Sequence, residues 1–180
     1  MREKSFILTL LLILFLGFQP KEVVASSKRA ITGVTELSAR LDGDVGAAEL
    51  FAIANEVGPF IDQIRKANPS PNSLKKMKAL LNEMRQKTSG KVAEIEASMG
   101  ESEGQLERLY RSQEWDDMSF ALAAFPYWRA WIDLELAYRE QNVGIMELRK
   151  RRPSFQRRKD SEGRVYNFIA PVWSMEVGWA

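Results

Sequence analysis

The residues best suited to chemistry are four carboxylates near the densest aromatic stretch: Asp116, Asp117, Asp133 and Glu135. Two carboxylates, one protonated and one ionised, suffice to hydrolyse a glycosidic bond. A carboxylate-based hydrolase acting on envelope polysaccharide is therefore one function that the residue types allow. Other routes are closed. The chain has no His and no Cys, which removes Ser-His-Asp and Cys-His nucleophilic sites, zinc sites built on His or Cys, and disulfide exchange. It contains neither a phosphate-binding P-loop nor a Gly-x-Gly-x-x-Gly fingerprint. Acidic residues at helix starts and on helix surfaces are also ordinary structural features. No catalytic residue, cofactor or metal ligand is assigned, and the balance is against an enzyme.

Charge gives the second signal. Arg149, Lys150, Arg151, Arg152, Arg157, Arg158 and Lys159 place seven basic residues in eleven positions. Such a tract suits an anionic lipid headgroup, an acidic glycan or an acidic protein face; otherwise it is a solvated linker. The whole chain carries only +2, so no global pull toward nucleic acid is expected.

The third signal is aromatic. Trp115 to Tyr138 (WDDMSFALAAFPYWRAWIDLELAY) holds three of the five Trp. Asp116 and Asp117 are placed to cap a helix from about Met118. Pro126 lacks an amide proton and predicts a break or kink near Phe125, with a second helix from about Tyr127 to Gln141. At 100° per residue that helix has two apolar stripes. One carries Tyr127, Ala130, Trp131, Leu134, Ala137 and Tyr138; the other carries Trp128, Ile132 and Leu136. Two stripes imply two neighbours, so both are expected in the core. If one is exposed, Trp128, Ile132 and Leu136 are the candidate partner contact, since Trp is enriched at interface hot spots. Trp131, Leu134 and Tyr138 also have the W-x2-L-x3-Y spacing that opens a tetratricopeptide repeat. Glu135 stands where that repeat has Gly, and nothing recurs at the repeat's period of about 34 residues, so the chain is not assigned to that class.

The elements that must position these residues read as follows. Arg2 and Lys4, the apolar run Phe6 to Phe18, and Val23-Val24-Ala25 have the order of a secretory signal peptide cleaved after Ala25. The protein is therefore expected to be exported, to a periplasm or the exterior. Membrane association would come from the basic tract or an uncleaved N-terminus. Loss of residues 1–25 leaves 23 basic and 22 acidic residues. Residues 26–43 read as a flexible lead-in, with Asp44 as the N-cap of the next helix. Leu50, Ile53, Val57, Ile61 and Ile64 mark one helix face, interrupted at Gly58-Pro59. Asn68-Pro69-Ser70-Pro71-Asn72 is a breaker. Ser73 is placed to cap a long helix whose stripe is Leu74, Met77, Leu81, Met84, Thr88, Val92, Ile95 and Met99, with Gly90 as its weak point. Leu106, Leu109 and Tyr110 mark a short helix. Residues 44–148 form the helical domain, 149–163 a basic linker, and 164–180 a β-prone aromatic tail. Within that tail Tyr166 and Phe168 share one face, and Val165, Asn167 and Ile169 the other. The segment after Pro171 alternates Trp173, Met175, Val177 and Trp179 against Val172, Ser174 and Glu176. It resembles the first strand of an outer-membrane barrel, but one or two strands cannot close a barrel. A small hairpin packed on the bundle, or addition to a partner's sheet edge, is the alternative.

The expected fold is mainly α: an irregular helical bundle or helical-hairpin array with a short C-terminal β segment. The expected function is contact, as a scaffold or adaptor of the envelope with a protein or envelope partner.

Overall fold

Residues 21–99, 103–141 and 152–171 are described by a computed structural model. They form five helices and two strands: α1 (Lys21–Arg40), α2 (Ala47–Lys66), α3 (Pro71–Ser98), α4 (Glu103–Tyr110), α5 (Gln113–Gln141), β1 (Pro153–Lys159) and β2 (Val165–Pro171). The mainly helical class with a short two-stranded antiparallel sheet near the C-terminus is as the periodicity predicts.

The lead-in is the first correction. Residues 26–40 are helical, not flexible, and Ala30, Val34, Leu37 and Leu41 are buried. Spacings of four, three and four put these side chains on one face. The lead-in's Ser and Gly, which read as loop residues, are used by the packing: Ser27 and Ser38 are buried and Gly33 meets a ring. The Phe60 ring lies against the backbone of Gly33, where a Cβ would come within 2.3 Å of the ring. Ser38, almost fully buried, donates to Glu83 at 3.1 Å, and Lys87 reaches Asp42 and Glu83, both at 2.8 Å. Through this clasp α1 is fastened to α3. The hydrogen bond to Asp42 is the main cause of a raised Lys87 pKa, and the hydrogen bond from Lys87 the main cause of a lowered Glu83 pKa.

Helix ends also differ in detail. Gly46, not Asp44, is the N-cap of α2. Ser70, not Ser73, caps α3: its hydroxyl accepts from the Ser73 amide at 3.2 Å, and Pro71 takes the first helical position, where its missing amide costs nothing. Neither Asp116 nor Asp117 starts α5, which begins at Gln113; the Ser112 hydroxyl accepts from the Trp115 amide at 3.2 Å.

The breaks expected inside helices do not divide them. The helix α2 continues through Pro59, α3 through Gly90 and α5 through Pro126. An interior Pro costs about 3 kcal/mol and an interior Gly about 1. Those costs are offset by tertiary burial on both sides. Val57 and Ile61 flank Pro59, and Phe125, next to Pro126, is completely buried.

The core is built from α2 (Leu50, Ile53, Val57, Ile61, Ile64), the α3 stripe (Leu74, Met77, Leu81, Met84) and α5 (Met118, Ala121, Phe125, Ile132), closed by α1. Helix α5 is the spine: it packs on α2 and α3 on one side and carries the β-hairpin on the other. The hairpin pairs Pro153 with Pro171, Phe155 with Ile169 and Lys159 with Val165. Its turn is held by Asp160, whose carboxylate accepts from the Glu162 and Arg164 amides, each at 2.9 Å, with Gly163 at φ +83. That left-handed conformation favours glycine. The basic linker is thus corrected for 153–159, which are strand, and the aromatic tail is strand over Val165–Pro171.

Candidate functional site

The four carboxylates do not converge. Asp133 and Glu135 lie two residues apart on one helix, about 200° around its axis. Asp133 pairs with Lys78 at 2.5 Å and Arg129 at 3.4 Å. Glu135 takes both a 3.0 and a 2.8 Å bond from Arg139. Arg139 also donates to Asn68 at 2.7 Å, and Arg129 to Asn82 at 3.2 Å, so the two polar edges of α5 reach the turn before α3 and α3 itself, respectively. Asp116 pairs with Arg157 and accepts from Asn167 at 3.2 Å; Asp117 accepts from Gln113 at 2.7 Å. Asp133 and Asp116 thus tie α5 to other elements, while Glu135 and Asp117 bond within the helix. Among the described residues no group of three or more acidic side chains is gathered as a metal site.

The two stripes of α5 are inverted relative to the expected contact surface. Ile132 is fully buried, Leu136 is nearly so, and Trp128 is half-buried against the core. The indole edge of Trp128 lies over Gly58, where a Cβ would come within 3.1 Å of it. These residues lie in the core shared by α2, α3 and α5. The other stripe is the half-open one. Trp131 and Leu134 are half-buried, and Tyr138 is 38% exposed. Position 128 rather than 131 therefore adjoins the core.

That half-open side continues into a ladder of rings drawn from three elements. Phe51 of α2 meets Phe120 at 4.9 Å, Phe120 meets Phe155 of β1 at 5.1 Å, Phe155 meets Tyr127 at 6.0 Å, and Tyr127 meets Trp131 at 6.5 Å. Arg65 stacks 4.3 Å above the Trp131 ring, and Arg152 lies 5.7 Å from it. The quadrupole of an aromatic face attracts a guanidinium in this position. Periodicity places Tyr127 and Trp131 on one stripe of α5, but Phe51 and Phe155 are distant from them in the chain and join them only once the elements pack.

Beside the ladder stands the basic strand. Arg149, Lys150 and Arg151 lie outside the described residues. Arg152, Arg157, Arg158 and Lys159 are all exposed. Arg157 is turned toward α5, where it meets Asp116, and Arg158 lies 5.1 Å over the Phe168 ring on the opposite face of the hairpin. The strand thus carries cations on both faces, fixed by a hairpin rather than spread along a loose linker.

A third feature is an open groove of about 890 Å³, lined by residues of α2, Ser26 of α1 and Trp128. Gln63 and Ser26 meet at 3.3 Å there. The Trp128 indole N–H is buried and finds no hydrogen-bond partner among the described residues. No described helix is long and apolar enough to cross a membrane. No protein-family model, curated protein or solved structure matches the chain.

Proposed function

We propose that this is an exported contact protein, a helical adaptor that docks on an anionic envelope surface through the basic strand β1. The observation that carries the reading is the run of exposed Arg157, Arg158 and Lys159 on one short strand, beside the half-exposed rings of Phe155 and Tyr127. Cations near an anionic surface each contribute about 1 kcal/mol, and aromatic rings suit the boundary between headgroup and acyl chain. Export rests on the order of charge, apolar run and small residues before Ala25. It fits with the packing of α1, whose buried positions among the described side chains begin at Ser27. Contact is favoured over polysaccharide hydrolysis because Asp133 and Glu135 each sit in an ion pair and point to different sides of α5.

Sedimentation with vesicles tests the reading. The protein should bind phosphatidylcholine vesicles containing about 30% phosphatidylglycerol, release as salt is raised, and ignore vesicles of phosphatidylcholine alone. Replacing Arg158 and Lys159 by Gln should weaken binding by about 2 kcal/mol, roughly thirty-fold. Equal binding to both vesicles, or no change in the double variant, would count against it.

A further inference from the structure

The two edges of the hairpin are used differently. On β2 the Val165 carbonyl accepts from the Trp115 indole at 2.7 Å, and the Asn167 amide donates to the Ser119 hydroxyl at 3.0 Å. Both groups therefore point away from β1, so the pairs of Val165 with Lys159 and of Asn167 with Arg157 are non-hydrogen-bonded ones. One step on, the Asp160 amide donates to the Arg164 carbonyl at 3.1 Å, as the alternation requires. On β1 the same alternation turns the backbone N–H and C=O of Phe155, Arg157 and Lys159 outward, while Gln156 and Arg158 bond to β2. Helix α5 takes up the outer edge of β2. Among the described residues, none bonds to the outward backbone groups of β1.

An open strand edge is a template for another extended chain, and charged side chains restrict which chains it accepts. Residues 153–159 hold Arg157, Arg158 and Lys159 and no acid, and all three cations are exposed. Arg157 turns toward α5, and Arg158 toward the Phe168 ring on the opposite face of the hairpin, so positive charge flanks the edge on both faces. A second copy of β1 would bring three more cations into the same sheet, and like charges on neighbouring strands repel. A strand that carries carboxylates meets attraction instead. Phe155, half-buried at the other end of the edge, offers ring surface to one uncharged side chain. The three outward amides recur every second residue, about 6.6 Å apart, which is also the repeat of alternate carbonyls on an added strand.

We propose that the outer edge of β1 takes up an extended acidic segment of a partner protein as a third strand. The Phe155, Arg157 and Lys159 amides then donate to alternate carbonyls of that segment, and its carboxylates lie beside Arg157, Arg158 and Lys159. Docking on an anionic surface uses only the charge of β1. Strand addition also uses its backbone, and it does not rest on lipid binding.

Amide exchange followed by NMR on the full chain tests this, with a blocked peptide of alternating Glu and Thr, as long as β1, as the probe. In the free protein the Phe155, Arg157 and Lys159 amides should exchange fast and those of Gln156 and Arg158 slowly. The peptide should slow the first three and leave the other two unchanged. Arg157→Pro and Arg157→Gln lose the same charge, but only the first loses an edge donor, at a position where a strand tolerates proline. With their circular dichroism matched, Arg157→Pro should bind the peptide about tenfold more weakly than Arg157→Gln. Should Arg157→Pro not fold, the exchange pattern of the unaltered chain still decides. Protection without alternation, slow exchange of all five amides in the free chain, or equal peptide binding by the two variants would overturn the proposal. Binding of anionic vesicles without binding of the peptide would also overturn it and leave the lipid reading standing. Binding of the peptide with the alternating protection, but not of the vesicles, would uphold it and sink the lipid reading.

Discussion

The two halves of α5 are equally apolar in sequence and unequally used. In the first half Met118, Ala121, Ala124 and Phe125 are buried, and the hairpin covers the side away from the bundle. In the second half only Ile132 and Leu136 are buried, while Trp131, Leu134 and Tyr138 stay half-open or exposed among the described residues. The difference follows the neighbours each half meets: the hairpin contacts the first half at Trp115, Asp116, Ser119 and Phe120 and reaches the second at Tyr127, through Phe155. Hydrophobicity alone does not forecast burial; whether an element lies over the side chain matters as much.

The sharpest way to break this comparison is to truncate one large side chain in each half. Phe125→Ala should destabilise by about 3–5 kcal/mol, the usual cost of an unfilled aromatic cavity. Tyr138→Ala should cost far less in the same denaturant titration. A similar loss for both would abolish the distinction. A smaller effect isolates the seam between α5 and the hairpin. Trp115→Phe keeps the ring packing against Tyr110 at 4.7 Å but removes the donor to Val165. It should cost about 1–3 kcal/mol, since the Val165 carbonyl is left unpartnered in a part-buried place. The near-ultraviolet dichroism of the aromatic ladder should weaken in the same variant.

The smallest expected effect lies away from α5, in the clasp between α1 and α3. Glu83 has a lowered pKa, owing first to the Lys87 hydrogen bond. A lowered carboxylate pKa adds stability above its unfolded value, and that increment is lost as pH falls through the folded value. Glu83 is about half exposed, so solvent screening keeps the pair within about 1 kcal/mol. Glu83→Gln should therefore be slightly less stable than wild type at pH 7. The gap should close as pH drops below about 4.5, the unfolded carboxylate range. A gap independent of pH would show that the clasp acts through packing rather than charge.

Much of the architecture was legible from spacing. The α2 face from Leu50 to Ile64 and the α3 stripe from Leu74 to Val92 appear in the core as their periods require. What misled were local signals that tertiary packing overrides. Pro59, Gly90 and Pro126 each weaken a helix locally, yet they sit in helices of 20, 28 and 29 residues held by buried neighbours. Gly33 read as flexibility because a sequence does not reveal the Phe60 ring that needs its missing side chain. The aromatic ladder was illegible for a different reason. Its α5 rungs, Phe120, Tyr127 and Trp131, fall at helical spacings of seven and four, but Phe51 and Phe155 lie far from them in the chain and join them only through packing. Of the contact signals, the basic run was visible as composition, but that β1 would fix its second half in a hairpin was not.

Ile132 and Leu134 decide which stripe of α5 faces the core. They are close in size and chemistry, two residues apart, and differ only in the side of the helix they occupy. The measurement is the difference in unfolding free energy between Ile132→Ala and Leu134→Ala by urea titration. Ile132→Ala should cost about 2–5 kcal/mol, and Leu134→Ala clearly less. Equal costs, or a larger one at Leu134, would contradict the assignment.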